Sequence, residues 1–293
     1  MILITGATGR IGKRVVARLV LAGKDVRVFV RDPQKAAQLL PPNIDLHHGD
    51  LADEAAIGSA MNDVEAVLLL SPVSPDQVRL QGNVVKAAAM SSKPYMVKIS
   101  GLGTSLDSYI DSGRWHAETE LQIQDAELPH TFLRPLFFLQ NLQFQFESAR
   151  STGIVRSGVQ DSKIAMIDVE DIAEVVANLL IDQSRLMNQT VTLSFRESKT
   201  YTEVALELSN LFGKTVRYET QSLEDVTKAL ARSGQPQWHI DILLQFNRAF
   251  LEGLGDAATS TAAEILGREA TTLSQFLQRE VSVAQEGTNP FPS

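Results

Sequence analysis

Three glycines near the N-terminus constrain this chain more than any other feature. Gly6, Gly9 and Gly12 follow a run of four apolar or β-branched residues, Ile2, Leu3, Ile4 and Thr5. The run reads as a short buried strand, and the next segment, KRVVARLVLAGK, reads as a helix. A G-x-x-G-x-x-G turn that leaves a strand and opens a helix predicts a seat for the pyrophosphate of a dinucleotide. Gly6 lets the chain turn off the strand, Gly9 lets backbone approach the pyrophosphate, and Gly12 lets helix and strand pack closely. Thr8, Arg10 and Ile11 complete the turn and count as cofactor contacts, at the positive end of the helix dipole.

The same rhythm continues for the first half of the chain. In DVRVFVRD, Val26, Val28 and Val30 alternate as in a strand, and IDLHH, VEAVLLLS, PYMVKIS and HTFLRP read as further strands. Helical segments lie between them, at about 10–22, 32–40, 52–61, 75–92 and 114–127. The helix at 75–92 is expected to turn Val78, Val84, Val85 and Ala88 inward. Strand–helix alternation with short connections predicts an α/β protein with a Rossmann-type doubly wound parallel sheet. After Pro135 the rhythm changes. LFFLQNLQFQFESAR is amphipathic, short strands are expected near 153–155 and 164–166, and a helix near 168–181 precedes a strand near 188–195. The remainder reads as mostly helix, interrupted by the strand VRYET. The expected division is a dinucleotide-binding domain over 1–150, completed by elements within 164–194, and a smaller, mostly helical substrate lobe over 151–293. The closing GTNPFPS is expected to fray.

Composition narrows the function. With 35 acidic against 27 basic residues the net charge is -8, which argues against broad binding to nucleic acid or an anionic membrane. The chain has 0 cysteines, which removes disulfides, thiolate nucleophiles, iron–sulfur clusters and cysteine zinc sites. No apolar run reaches the roughly 18–20 residues that span a bilayer. The N-terminal strand leaves no room for a signal peptide, so a cytoplasmic protein is expected. No metal is expected either: His47 and His48 are adjacent and point to opposite faces of a strand, while His130 and His239 stand alone. No G-x-S-x-G elbow marks a serine hydrolase.

ITGATGRIG, GDLAD, KISGLG, HAETE, TFLRP and IDVEDIAEVVANLL occur in this order. Together they resemble the NmrA-like group of atypical short-chain dehydrogenases/reductases, and within it the NADPH-dependent quinone reductases and triphenylmethane-dye reductases. The resemblance runs nearly the full length, through LGREATTLSQFL. It implies an NAD(P) cofactor, and the second strand helps choose which. NAD-preferring folds place an Asp or Glu at that strand's end, where this chain has Val30 followed by Arg31. Arg31, with Arg10 and Lys35, suits a 2′-phosphate through charge-assisted hydrogen bonds. Asp32 lies one residue late, placed to turn outward or cap the next helix. NADPH is therefore the expected cofactor. The resemblance puts Asp50 and Leu51 beside the adenine and the backbone after Arg134-Pro135 beside the nicotinamide. Ser71-Pro72 and Ser100 end strands that face the same crevice.

The resemblance also directs attention to a Tyr-x-x-x-Lys pair after the fifth strand, and this chain has none. The stretch is DSGRWHAETELQ; Tyr109 precedes it, but the residue four later is Gly113. The nearest ionisable substitute is His116, in the His-x-x-Thr-Glu setting formed with Thr119 and Glu120. Histidine donates protons near neutral pH. Ser100 is a second candidate, for hydrogen bonding to substrate or cofactor. Lys98, two residues earlier, points either into the site or into the flank of the sheet. Phe137, Phe138, Asn141 and Tyr109 are expected to contact the acceptor, whereas Phe144 and Phe146 suit core packing. The expected activity is hydride transfer from NADPH to a quinone-like or other conjugated small molecule, by a possible homodimer. An alternative is a non-catalytic NADP(H) sensor that binds protein partners. An isomerase or epimerase would want the missing Tyr–Lys pair.

Overall fold

A computed structural model describes residues 1–285; the GTNPFPS tail expected to fray lies outside the described residues. The chain runs β1 (Ile2–Thr5), α1 (Gly12–Leu21), β2 (Val26–Val30), α2 (Pro33–Leu39), β3 (Asp45–His48), α3 (Glu54–Ala60), β4 (Ala66–Leu69), α4 (Gln77–Ala89), β5 (Tyr95–Ile99), α5 (Asp111–Asp125) and β6 (His130–Pro135). Then come β7 (Phe137–Phe138), a 3₁₀ turn (Leu139–Leu142), α6 (Gln143–Thr152), β8 (Ile154–Ser157), β9 (Ile164–Ile167), α7 (Val169–Ile181) and β10 (Gln189–Leu193). The last part holds β11 (Ser198–Lys199), α8 (Tyr201–Phe212), β12 (Arg217–Thr220), α9 (Leu223–Ala231), α10 (Gln237–Leu251), α11 (Thr261–Leu266) and α12 (Leu273–Gln285). No helix among the described residues is long and apolar enough to cross a membrane.

Two compact units share this chain. The first takes Met1–Pro135 and Val169–Leu193; the second takes Leu136–Asp168 and Ser194 onward. The chain thus leaves the first unit at Pro135, not near 150, because β6 ends there and β7 joins another sheet.

The first unit holds a 7-stranded sheet in the order β10-β6-β5-β4-β1-β2-β3. Every pairing in it is parallel. The central strands β1 and β4 are buried at every residue, as expected where helices cover both faces of a sheet. On α1, Val15, Val16 and Leu19 make the inward stripe, and Gly23 stops the helix in the left-handed region, φ +68°. Asp53 caps α3 by accepting the Ala55 and Ala56 amides. Helix α7 is tied to α1 by Glu170, which accepts from Arg14 Nε and from Arg18 Nη2 (2.7 Å). Burial pushes the Glu170 carboxyl up, but the two guanidiniums outweigh it and hold it below its usual range. One expectation for α4 changes. Its inward stripe is Gln77, Gln81, Val84, Val85 and Ala88, with Val78 only half-buried. The helix is rotated so that two glutamines, not a valine, begin the buried face.

The second unit contains a 3-stranded sheet, β11-β9-β7, and a 2-stranded one, β12-β8. Asp168 is fully buried there, accepting from Gln140 Nε2 (2.8 Å) and pairing with Arg279 Nη2 (2.7 Å), which anchors α12. Phe146 lies against Phe276 at 6.3 Å between ring centroids, but Phe144 is 78% exposed and does not pack in the core. On α6 Phe146 and Ala149 turn inward, and a position two residues before Phe146 falls on the opposite face.

Candidate active site

The strand order runs 3-2-1 on one side of β1 and 4-5-6 on the other, so the connections reverse between β1 and β4. Ligands of open α/β sheets bind at such a reversal, beyond the carboxyl ends of the strands. Thr5 holds the two ends together: its hydroxyl donates to Leu70 O (2.8 Å) and accepts from Leu70 N (2.9 Å). The glycine turn follows at once. Gly6 sits at φ +64°, and a β-carbon there would lie 2.7 Å from Leu70 O. A β-carbon on Gly12 would lie 2.2 Å from Gly6 O, so helix and turn are in direct backbone contact. Gly9 N donates to Gly6 O (3.0 Å), closing the turn. Neither a capping side chain nor an acidic residue occupies the first turn of α1. In the same turn Ile11 is buried, Thr8 half-buried and Arg10 exposed.

At the end of β2, Val30 is buried and Arg31, Asp32 and Lys35 are exposed. Asp32 is the N-cap of α2, its carboxylate accepting from Lys35 N (2.9 Å). That carboxylate serves its own helix. Asp50 bends the loop after β3 by accepting from Ala52 N (2.8 Å), and Leu51 O accepts from Asn83 Nδ2 (2.8 Å). Ser71, beyond β4 and next to the exposed Pro72, accepts from Gln81 Nε2 (2.8 Å).

Beyond β5 and β6 lies a cluster that the sequence only partly indicated. Side chains alternate along a strand, so Met96, Lys98 and Ser100 share one side of β5. Lys98 is 0% exposed. Its Nζ donates to His116 Nδ1 (3.0 Å), Ser100 Oγ (3.2 Å) and Ile99 O (3.3 Å). Ser100 in turn donates to Glu120 Oε1 (2.6 Å), and Glu120 receives a two-pronged contact from Arg134, Nε to Oε1 (3.2 Å) and Nη2 to Oε2. Gln77 Nε2 also approaches His116 Nδ1 (2.9 Å). Two donors converge on Nδ1, so that nitrogen accepts and the imidazole proton sits on Nε2. Burial, then Lys98, then Arg134 drive the His116 pKa well below its usual value, so the ring is neutral at pH 7. Burial lowers Lys98 as well; Glu120 opposes this, Arg134 adds to it, and the pKa comes to about 7. The amide oxygens of Gln77 and Gln81 are buried without a hydrogen-bond partner. Thr119 turns its hydroxyl back onto Trp115 O (3.0 Å), within α5.

The first unit therefore brings His116, Ser100, Arg134 and Pro135 to one end of the sheet, and adds Lys98, Glu120 and Gln77. Parity was the available signal for Lys98, two residues before Ser100 on one strand. The Arg134 guanidinium is engaged by Glu120, which leaves the backbone of Arg134-Pro135 as the part expected beside the nicotinamide. Tyr109 is half-buried in the loop before α5. Phe137, Phe138 and Asn141 belong to the second unit, where Phe137 stands edge-on to Phe250 at 5.9 Å between centroids. Among the described residues no group of three or more His, Asp or Glu could hold a metal ion.

A model of the NmrA-like family matches residues 1–277. The chain belongs to the NmrA-like family. It is 31% identical over 280 residues to an NAD(P)H azoreductase of Xenophilus azovorans, covering 94% of this chain and 96% of that one. Quinone oxidoreductase 2 of Escherichia coli strain K12 is 30% identical over 286 residues, covering 97% and 99%. The crystal structure of the Escherichia coli NADPH-dependent quinone oxidoreductase QOR2, complexed with NADPH, superposes with a TM-score of 0.87 at 28% identity, covering 96% of this chain and 100% of that one. This NmrA-like chain thus pairs the sheet order of a dinucleotide-binding fold with a buried lysine–histidine contact beyond β5.

Proposed function

We propose that this NmrA-like protein is an NADPH-dependent oxidoreductase that delivers hydride to a quinone-like or otherwise conjugated small molecule. The observation that carries the reading is the buried cluster of Lys98, His116, Ser100, Glu120 and Arg134. It lies at the same end of the sheet as the glycine turn. Groups with perturbed proton affinity, as Lys98 and His116 are, cluster at functional sites. The relatives named for NAD(P)H-dependent reduction support the same reading.

The residues present fit NADPH. The turn Gly6–Gly12 is backed by backbone so closely that a β-carbon at Gly6 or Gly12 would collide, which keeps it open to a pyrophosphate. Arg31, Lys35 and Arg10 are exposed cations suited to the 2′-phosphate, and Asp32 is held away as a helix cap. Asp50 and Leu51 would flank the adenine. Ser71, Pro72, Ser100 and the backbone of Arg134-Pro135 would line the path toward the nicotinamide, and Tyr109 would contact the acceptor. When bound, NADPH supplies a hydride, two electrons with one proton. A conjugated acceptor is already electrophilic, so the protein's share is positioning and the management of one proton.

Two measurements test this. NADPH oxidation against a panel of quinones and dyes is expected to show turnover; tight NADPH binding with no turnover would instead favour a sensor. Arg31→Ala is expected to weaken NADPH roughly 10–100-fold, the worth of one charge-assisted contact, with little change for NADH. Equal loss for both nucleotides, or tighter NADH binding by the wild type, would sink the 2′-phosphate assignment.

A further inference from the structure

The neutral imidazole of His116 poses a chemical problem. Reducing a quinone to a hydroquinone consumes one proton besides the hydride. A neutral imidazole that gives up its Nε2 proton unaided becomes an imidazolate, which is strongly unfavourable near neutral pH. We propose that Lys98 is a positioning residue that holds this proton, and that it reaches the acceptor through His116: Nε2 releases its proton outward while Nδ1 takes one from Lys98 Nζ. The proposal rests on the reading of the protein as a hydride-transferring enzyme.

The geometry carries it in three ways. First, an ammonium has three N–H bonds, and Lys98 Nζ faces three acceptors: His116 Nδ1 at 3.0 Å, Ser100 Oγ at 3.2 Å and Ile99 O at 3.3 Å. Second, Lys98 is 0% exposed while its partner His116 is half-buried, so the imidazole offers the lysine a route outward. Third, Gln77 Nε2 lies 2.9 Å from the same Nδ1, fixing the ring so that Nε2 carries the mobile proton.

The step balances. An N–H bond breaks at Nζ and one forms at Nδ1; an N–H bond breaks at Nε2 and an O–H bond forms on the acceptor. Lys98 ends as a neutral amine and His116 as a neutral imidazole with its proton on Nδ1. The acceptor gains hydride and proton, and NADPH is oxidised by two electrons. Reprotonation runs back through the ring after product leaves. The charged groups that set the lysine's proton affinity are Glu120 on α5 and Arg134 on β6; His116 on α5 accepts from it, and the amide of Gln77 on α4 reaches His116. Burial and Arg134 drive the proton off and Glu120 draws it on, leaving a pKa of about 7, which suits a donor working near neutrality.

Two experiments decide it. Nitrogen-15 NMR of the cofactor-free wild type is expected to show His116 protonated on Nε2 and Lys98 titrating near 7. A His116 protonated on Nδ1 at every pH, or a Lys98 that keeps its ammonium up to the ordinary 10.5, would overturn the proposal. The second experiment compares NADPH oxidation by menadione, which needs hydride and proton, with that by crystal violet, a carbocation that needs hydride alone. In the wild type, menadione turnover should fall as pH rises through about 7, while the dye shows no such step. In Lys98→Met the menadione-to-dye ratio of kcat should fall roughly 100-fold, the usual worth of a general acid. Lys98→Arg keeps the charge but cannot release a proton, so it should not restore the ratio. An unchanged ratio in Lys98→Met, or its recovery in Lys98→Arg, overturns the relay. Turnover with neither acceptor would overturn the enzyme reading itself, and the NMR titration would then judge the Lys98–His116 proton sharing on its own.

Discussion

Gly12→Ala is expected to weaken NADPH binding by at least about 100-fold and to destabilise the first unit by roughly 1–3 kcal/mol or more. The added β-carbon would sit 2.2 Å from Gly6 O, 2.8 Å from the Ala7 Cα and 2.9 Å from the Gly6 carbonyl carbon. All three are backbone atoms, so no side chain can swing aside. Relief requires α1 to move off β1 or the Gly6–Gly9 turn to open, and either displaces the amides that would meet the pyrophosphate. Gly58→Ala in α3 is the matching control. Nothing lies within 4 Å of its β-carbon, so it should leave NADPH binding intact and add up to about 1 kcal/mol of helix stability. Fluorescence titration with NADPH and thermal melts of both variants make the comparison. A Gly12→Ala protein that binds like the wild type would remove the turn from the site.

Glu120→Gln should have the other large effect. Glu120 is 5% exposed and is the counter-ion of Arg134, the acceptor for Ser100 (2.6 Å) and the group that draws a proton toward Lys98. Removing one member of a buried pair costs about 3–5 kcal/mol, because the other charge is left without its partner. The Arg134 side chain is 31% exposed and recovers part of this from water, so roughly 2–3 kcal/mol is expected in urea unfolding. The same substitution removes the influence that raises the Lys98 pKa. Lys98 then loses its proton more readily, and proton-dependent turnover should fade at lower pH than in the wild type. Wild-type stability together with an unmoved pH profile would show that Glu120 neither balances Arg134 nor acts on Lys98.

The architecture was legible because it repeats a simple pattern. Val26, Val28 and Val30 alternate, Val15, Val16 and Leu19 recur at helical spacing, and glycines or prolines punctuate both. Asp32, one residue past Arg31, was left to turn outward or to cap the next helix, and it caps α2. Other features depend on how an element is rolled about its axis. Val78 was expected inward on α4, but the buried stripe starts with Gln77 and Gln81, whose polarity disguises it. Phe144 looked like core and is exposed, because hydrophobicity alone does not say which side of α6 is covered. The site divides in the same way. Gly6–Gly12, Ser100 and His116 announce themselves by motif or chemistry. Lys98 does not, since a lysine on a central strand reads equally as a flank residue until Glu120 is seen to compensate its burial. That carboxylate lies 22 residues away in sequence.

The alternation of the two units along the chain has a consequence for synthesis. The ribosome releases β1 to β6 first, then a stretch of the second unit, and only afterwards Val169–Leu193. Until that segment emerges, β6 presents an unpaired edge where β10 will lie, and Arg14 and Arg18 lack the Glu170 carboxylate that joins α1 to α7. An open parallel edge of this kind recruits strands from other chains. The nascent protein is therefore most exposed to aggregation before Val169–Leu193 emerges, and the nucleotide-binding unit reaches its final form only after the Leu136–Asp168 stretch of its neighbour has left the ribosome.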